Sequence, residues 1–192
     1  MGMKATLEVI NAMEADGVIG RYAISGAVAA YNYIESTVTD DLDILIAFKE
    51  TSDRPKSGLI TLAPLFAYLK AKGYQEHRKE GLVIEGWPVQ FLPVASDLDA
   101  EALTQAQELE VQINQAEGSI RTRVLRAEHL VAICLRVGRP RDLIRITQFL
   151  EEEVVDLPVL SEVLRRHHLK EAWQAFFSRA GIIDPCGIQR EP

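Results

Sequence analysis

The spacing of hydrophobic positions changes along the chain. Up to about residue 125, segments with apolar residues at helical spacing alternate with short runs rich in Val, Ile and Leu. From residue 126 onward, the helical spacing continues nearly to the end. This pattern predicts an α+β protein, with a mixed α/β core at 1–125 followed by a C-terminal helical region at 126–192.

The same pattern predicts the individual elements, because Gly and Pro between the periodic segments mark their ends. Helices are expected at 3–16, 27–35, 59–72, from Asp97, and at 127–137, 140–154, 157–169 and 170–181. Strands are expected at 22–24, 42–48, 82–84, 89–92, 109–113 and 120–125. The strands at 82–84 and 89–92 read as a hairpin, and Pro88 indicates that the second starts late or lies at an edge.

The composition is typical of a globular domain. Hydrophobic residues make up 47% and charged residues 26% of the 192 positions. No apolar run approaches the roughly 20 residues that span a bilayer, and the first residues lack the order of a secretory signal. Cys134 and Cys186 do not have metal-ligand spacing. We therefore expect a reduced, cytoplasmic protein with no zinc site and no membrane contact.

Positive charge is concentrated in one segment. Residues 121–145 contain seven arginines and two acidic residues, a local excess of +5, although the net charge of the chain is −7. The overall charge argues against general coating of nucleic acid. The local excess, however, suits a polyphosphate or an RNA backbone.

Two aspartates open the predicted strand at 42–48. On a strand, side chains alternate between faces, so Asp41 and Asp43 point the same way while Leu42 enters the core. A hard divalent cation would relieve their mutual repulsion. Upstream, Ser25 and Gly26 stand between a strand and a helix, where backbone N–H groups can approach a phosphate. The structural alternative is an acidic turn that only leads into a strand.

Other polar residues are interpreted structurally. Asp97 and Asp99 have the same spacing as the first pair, but they enter a helix, so we expect capping only. His167 and its neighbour His168 follow two arginines and are expected to form a solvated basic helix end. His129, near a predicted helix start, could reach a functional cleft but has no evident partner.

Together, these motifs resemble a known family. The strand–Ser25-Gly26–helix unit, followed by Thr39-x-Asp41-Leu-Asp43 opening an apolar strand, is similar to the signature of the DNA polymerase β-like nucleotidyltransferase superfamily. The run VLRAEHLVAICLRVGRPRDLIRITQFL resembles the helical region of its AbiEii/MNT-like minimal branch. The resemblance implies a nucleotidyltransferase-like mixed β-sheet flanked by helices.

The resemblance also implies a function. Members of this superfamily transfer a nucleoside monophosphate from a nucleoside triphosphate such as ATP to a hydroxyl or similar acceptor, with Mg²⁺ or Mn²⁺ as cofactor. Asp41 and Asp43 would hold the metal and serve catalysis. The nucleotide and its phosphates would be bound by Ser25, Gly26, Thr39, Arg139 and Arg141. The acceptor is open between a small molecule, a protein and RNA, and a toxin–antitoxin or defence role is a further expectation.

The chain departs from the family at two positions, and at the second of them Cys134 stands where relatives often carry a lysine. The family usually has a third carboxylate on a neighbouring strand, and the best-matched strand here, 89–92, offers Gln90. An amide oxygen ligates weakly and cannot act as a base. Glu85, in the predicted hairpin turn, could substitute if the turn folds back. Three hypotheses therefore stay open: an active nucleotidyltransferase, a catalytically silent relative that binds a nucleotide or a partner protein, and an RNA-binding adaptor that uses the arginines.

Overall fold

The fold is seen in a computed structural model, which describes residues 2–35, 39–48, 61–114, 118–180 and 184–187. Within these ranges, the chain forms eight helices and a mixed seven-stranded sheet, which confirms the predicted α+β class. The elements in the first part are α1 (Met3–Ala15), β1 (Tyr22–Ile24), α2 (Gly26–Ala30), β2 (Leu42–Ile46), α3 (Ala63–Ala71), β3 (His77–Arg78), β4 (Gly81–Ile84), β5 (Trp87–Pro93), α4 (Asp97–Thr104), β6 (Gln107–Asn114) and β7 (Gly118–Val124). The remaining helices are α5 (Ala127–Val137), α6 (Pro140–Glu151), α7 (Leu157–Arg166) and α8 (Lys170–Ala180).

The sheet has the strand order β3-β4-β5-β2-β1-β7-β6. Neighbouring strands are antiparallel, except that β2 runs parallel to β5 and β1 runs parallel to β7. In the centre of the sheet, Ile24 of β1 is opposite Ile44 of β2, and Asp43 of β2 is beside Gln90 of β5. The end of β1 and the start of β2 therefore meet at one place next to β5.

Helices pack on this sheet through the apolar residues that the sequence pattern identifies. In α1, Leu7, Ile10 and Met13 are fully buried, and the Thr6 hydroxyl donates to the Ile84 carbonyl at 2.9 Å. In the C-terminal part, α5 contacts α2, α4, α6, α7 and α8. The central position of α5 agrees with its burial, because most of its residues are buried.

The C-terminal aromatic residues belong to the core, as their helical spacing indicates. Trp173 is fully buried, and its ring centroid is 4.8 Å from that of Phe177 in an edge-on arrangement. Phe176 meets Phe177 at 5.0 Å, also edge-on. Such pairs prefer this geometry because the positive edge of one ring faces the negative face of the other.

Several predicted element boundaries were wrong. The helices expected to end at 154 and 169 end three residues earlier, at Glu151 and Arg166. The helix that begins at Gly26 ends at Ala30 instead of 35, because the N–H groups of residues 31–33 each donate to a carbonyl three residues earlier. The Asn32 side chain also donates to the Ala29 carbonyl, and such bonds compete with helix propagation. β2 ends at Ile46 rather than 48, and α3 begins at Ala63, with Pro64 in its first turn. Residues 61 and 62 are not helical, and the predicted start at 59 lies outside the described residues.

The prediction that Pro88 places its strand late or at an edge was also wrong. β5 starts at Trp87 and lies between β4 and β2. Glu85 and Gly86, both with positive φ, form a two-residue turn that closes the pair Ile84–Trp87. Since hydrogen-bonded and non-hydrogen-bonded pairs alternate, Pro88 occupies a position that donates no bond to β4. Pairing with β2 begins only at the next residue, Val89.

Two expectations from the sequence concern membrane-spanning segments and the thiol of Cys134. Among the described residues, no helix has the length and apolar character needed to cross a membrane. Cys134 is buried in α5, and burial raises the pKa of its thiol to about 11, so the thiol stays protonated at neutral pH.

Candidate functional site

The turn at Ser25 and Gly26 is built against the start of β2. The Ser25 N–H donates to the Asp43 carbonyl at 2.8 Å, which continues the β1–β2 pairing by one residue. Gly26 has φ of +60°, and a Cβ atom there would lie 2.0 Å from Asp43 Oδ2. Both the backbone conformation and the contact with the carboxylate therefore require glycine at this position.

Gly26→Ala is expected to lower the melting temperature more than Gly73→Ala. Both glycines have positive φ, so each alanine meets a left-handed backbone penalty of about 1–2 kcal/mol. At Gly73, however, an added Cβ has no neighbour within 4 Å, whereas at Gly26 it must displace the Asp43 carboxylate. Thermal unfolding of the two variants measures the difference, and equal losses would show that the Asp43 contact does not constrain residue 26.

The two aspartates at the start of β2 share one face, as predicted. The Thr39 hydroxyl donates to Asp41 Oδ1 at 2.7 Å, which fixes that carboxylate. Burial raises the pKa of Asp43, and the nearby charge of Asp41 raises it further. The arginines at 139, 141 and 145 act in the opposite direction. The fold therefore holds Asp43 in a position where its negative charge is unfavourable until a cation approaches.

The neighbouring strand presents an amide beside this pair. The parallel register sets Gln90 directly beside Asp43, and its Nε2 donates to Glu80 Oε2 at 3.3 Å. The described residues contain no group of three or more His, Cys, Asp or Glu that could hold a metal together. Glu85 does not line the cleft described below, and its carboxylate accepts a hydrogen bond from the Tyr74 hydroxyl at 2.6 Å.

Arginines of α6 face the aspartates from the other side. Arg139, which precedes α6, binds the buried Asp142 through Nε at 2.7 Å and Nη2 at 3.2 Å. Asp142 also accepts from the Arg139 backbone N–H, so it fixes both the start of α6 and the guanidinium. Arg145 Nη1 is 4.0 Å from the same carboxylate. Arg141 is exposed and makes no ion pair within the described part of the chain.

Asp99 was expected to act only in capping, and that interpretation was incomplete. Ser96 is the residue that caps α4, and its hydroxyl donates to Asp99 Oδ2 at 2.8 Å. Asp99 Oδ1 also accepts a hydrogen bond from Arg136 Nη2 of α5 at 2.6 Å. Asp99 is buried and its ion pair with Arg136 joins α4 to α5 at the wall of the cleft.

These elements enclose a cleft of about 660 Å³ between the sheet and helices α5 and α6. Part of its wall is apolar, including Ile133 and Val137 of α5 and Ile144 of α6, which is 62% exposed. Its volume is in the range of small-molecule sites. Apart from Glu85, every site residue predicted from the sequence lines it, namely Ser25, Gly26, Thr39, Asp41, Asp43, Gln90, Arg139 and Arg141.

The cleft also contains charged residues that the sequence analysis did not assign to the site. Arg136 and Arg145 belong to the predicted arginine-rich segment, so local charge gave a signal for them. For Asp142, the only indication in the sequence was its position directly after Arg141 in the same segment. Nothing in the sequence indicated Glu80, because its place in the cleft depends on how the turn between β3 and β4 lies beside β5.

The histidines lie elsewhere and correct two predictions. His129 is fully buried and does not line the cleft; its Nε2 is 3.2 Å from Glu101 Oε1. His167 is not a solvated helix end, since its Nε2 is 2.8 Å from Glu101 Oε2 and its side chain is only 11% exposed. Arg166 Nη2 also donates to Glu101 at 2.6 Å. We call Glu101, His129, Arg166 and His167 the Glu101 cluster.

Two solved structures are among those that are similar to this chain. No family model and no curated protein matches the chain. An antigenic nucleotidyltransferase-like protein from Paracoccidioides brasiliensis aligns with a TM-score of 0.48 and 16% identity, over 90% of this chain and 92% of that one. The antibiotic-resistance factor ANT(2'')-Ia aligns with a TM-score of 0.42 and 18% identity, over 93% and 92%. Because both TM-scores are below 0.5, these alignments carry no argument about function.

Proposed function

We propose that the protein transfers a nucleoside monophosphate from a nucleoside triphosphate to a hydroxyl acceptor, with the help of Mg²⁺. The observation that carries this proposal is the convergence of three features in one cleft. These are the Asp41–Asp43 pair, the glycine turn that packs on it, and the arginines of α6 that face it. Carboxylates opposite guanidinium groups suit a ligand that is itself a complex of a cation and a polyphosphate.

The donor set fits a divalent cation. Asp41 and Asp43 supply carboxylate oxygens on one strand face, and the raised pKa of Asp43 reflects a buried charge that a cation would stabilise. Mg²⁺ or Mn²⁺ held there would neutralise phosphate charge and polarise the reacting phosphorus. Thr39 would hold Asp41 in place through its hydroxyl.

The rest of the cleft suits the nucleotide. The backbone at Ser25 and Gly26 is open to close approach because residue 26 has no side chain. Arg141 is available for the phosphates, whereas Arg139 is already oriented by Asp142 and offers its remaining N–H groups. Exposed Ile144 and Val137 give an apolar surface for the base. These groups would hold the triphosphate with its α-phosphorus near Asp43.

A second candidate is a catalytically silent protein that binds a nucleotide or a partner protein. The observation in its favour is Gln90, which occupies the strand position beside Asp43 and can neither add negative charge nor accept a proton as a base. The RNA-adaptor hypothesis has less support, because Arg136 and Arg139 are each engaged by a buried aspartate.

The finer expectations remain proposals from the resemblance. They are the AbiEii/MNT-like branch, a toxin–antitoxin or defence role, RNA as acceptor, preference for ATP, and a cytoplasmic location. We also propose that the core at 1–125 and the helical region at 126–192 act together, since both line the cleft.

Wild-type protein is expected to bind at least one of ATP, GTP, CTP and UTP in a Mg²⁺-dependent manner. Calorimetric titration with and without Mg²⁺ measures this, and Asp41→Ala/Asp43→Ala should weaken the Mg²⁺-dependent affinity at least about tenfold, or about 1.4 kcal/mol. Glu151→Ala/Glu152→Ala is the matched control, since it removes two exposed charges outside the cleft.

The outcomes separate the candidates. Binding of no triphosphate by the wild type would contradict both the enzyme and the silent nucleotide-binding protein. Mg²⁺-dependent binding that disappears in the double variant, without release of pyrophosphate, would support the silent protein. RNA binding that survives the double substitution but weakens steeply with salt would support the adaptor.

A further inference from the structure

The acidic residues of the cleft differ in whether an arginine neutralises them. Besides the Asp41–Asp43 pair, two aspartates line it, and both are buried and paired. Asp99 is 2.6 Å from Arg136, and Asp142 is 2.7 Å from Arg139. Both carboxylate oxygens of each aspartate already accept hydrogen bonds, from Arg136 and Ser96 at Asp99 and from Arg139 at Asp142. Neither aspartate is therefore suited to activate an acceptor.

Glu80 is the exception among these residues. It lines the cleft and is exposed, and within the described part of the chain its contact is the hydrogen bond from Gln90 Nε2 at 3.3 Å. A neutral amide orients a carboxylate without neutralising its charge. Because Gln90 is beside Asp43 in the sheet register, this bond holds Glu80 next to the strand position adjoining the aspartate pair.

A second contact ties the turn that carries Glu80 to the start of β2. Lys79 and Glu80 form the two-residue connection between β3 and β4, and Lys79 takes a positive φ of 53°. Lys79 Nζ is 3.0 Å from Asp40 Oδ2, immediately before Asp41. Both side chains are exposed, so the pair contributes little to stability. It nevertheless directs the turn towards the edge that carries the aspartates.

We propose that Glu80 is the general base that accepts the proton of the acceptor hydroxyl, with Gln90 as its positioning residue. This inference rests on the proposed function. In the step, the acceptor O–H bond breaks and its proton moves to a Glu80 carboxylate oxygen. The acceptor oxygen forms a bond to the α-phosphorus, and the bond from that phosphorus to the bridging oxygen breaks. Pyrophosphate leaves with the electron pair, and Glu80 then releases the proton to water.

Glu80 differs from a third metal ligand. Among the residues that the structure describes, it does not form a metal-holding group with Asp41 and Asp43. Its exposure keeps it accessible to an incoming alcohol. The Gln90 amide thus holds a carboxylate from the adjacent turn in the cleft, where we expect the acceptor hydroxyl to bind.

Glu80→Gln is expected to lower kcat for pyrophosphate release about 10²–10⁴-fold, the usual contribution of general base catalysis. The KM for the triphosphate should change less than about twofold, because Glu80 does not bind it. Water, ethanol and trifluoroethanol serve as acceptors. The loss should be smaller with trifluoroethanol, since a more acidic hydroxyl depends less on the base. Glu85→Gln, a carboxylate outside the cleft, should remain close to wild type.

Gln90→Leu tests the positioning role. It is expected to lower kcat about tenfold in the wild type and to cause little further loss in the Glu80→Gln background, because coupled residues are not additive. Additive losses would overturn the positioning role. Thermal unfolding of each variant checks that the fold is kept.

Failure of this inference can be told from failure of the proposed function. Wild-type turnover that Glu80→Gln leaves unchanged, or reduces equally for both alcohols, would overturn the role of Glu80 alone. Mg²⁺-dependent triphosphate binding by the wild type without pyrophosphate release, even to water, would overturn it while keeping the nucleotide site. Absence of triphosphate binding would overturn both.

Discussion

Asp43→Asn is expected to raise the melting temperature of the metal-free protein at pH 7 and to abolish Mg²⁺-dependent triphosphate binding. Burial, together with the charge of Asp41, raises the pKa of Asp43, so the fold disfavours its ionised form. Asparagine keeps the shape and removes the charge. We therefore expect the Asp43 charge to destabilise the metal-free fold. Its removal should raise the melting temperature by about 2–4 °C for each kcal/mol of repulsion removed.

The pH dependence of this effect has a definite sign. A carboxyl whose folded pKa is raised costs no stability well below its unfolded pKa, where it is protonated in both states. The cost develops as pH rises through the unfolded and then the folded pKa. The melting-temperature gain of Asp43→Asn should therefore be absent near pH 3 and should increase as the pH rises towards neutral.

Melting curves from pH 3 to 8, with and without Mg²⁺, measure the gain. Glu35→Gln makes the same carboxylate-to-amide change on an exposed residue and should show no such gain. Mg²⁺ should stabilise the wild type and leave Asp43→Asn unchanged, because ligands stabilise the state that binds them. A lower melting temperature for metal-free Asp43→Asn at pH 7 would show that the ionised carboxylate supports the fold.

The part of the site that lies within one strand–turn–helix unit could be predicted from the sequence. Side chains alternate along a strand, so the common face of Asp41 and Asp43 follows from their spacing. The glycine at 26 is likewise a local requirement, although the contact that enforces it is with Asp43. Arg139 and Arg141 were indicated by local charge and by the family resemblance, and the structure brings them to the same cleft.

Contacts between distant segments could not be predicted in this way. Glu80 and Glu85 each lie in a two-residue turn near β5, and no local pattern distinguishes which one reaches the cleft. The difference arises because β4 is antiparallel to β5, which sets the Lys79–Glu80 turn beside Gln90 and sends the Glu85–Gly86 turn to the other end. β3 itself has only two exposed residues, too few for a periodic pattern.

The Glu101 cluster shows the same limit. His129 and His167 lie 28 and 66 residues from Glu101, on different helices, so no spacing rule relates them. The pair of adjacent histidines indicated a solvated surface because their neighbours are charged. The structure instead uses one of those neighbours, Arg166, as a further donor to the same carboxylate. Packing of α5 against both α4 and α7 brings the four residues together.

Glu101→Gln is expected to destabilise the fold by about 2–3 kcal/mol, less than the roughly 3–5 kcal/mol for breaking a fully buried ion pair. An amide cannot accept the hydrogen bonds of Arg166, His129 and His167 as the carboxylate does. The melting temperature should fall by about 5–10 °C. Glu162→Gln is the matched control: Glu162 also binds Arg166 but is 46% exposed, so its loss should change the melting temperature little.

The acid sensitivity of the fold should change in the same variant. The Arg166 guanidinium holds the pKa of Glu101 at about 2, below its ordinary 4.5, so its contribution is present above pH 4.5 and is lost as pH falls towards about 2. Burial lowers the pKa of His129 from its ordinary 6.5, so folding loses stability as pH falls below that value. The neutral ring fits its site, since Nε2–H donates to Glu101 and the buried Nδ1 has no partner among the described residues.

The stability difference between wild type and Glu101→Gln should therefore be largest above pH 4.5 and shrink towards pH 2, where the wild-type carboxylate becomes protonated. Chemical unfolding across this range measures it. His129 contributes a separate loss below pH 6.5, which Glu101→Gln should enlarge, because a protonated ring would then face an amide instead of a carboxylate. A stability difference that stays constant from pH 7 to pH 2 would show that the charge of Glu101 does not hold α4 against α5 and α7.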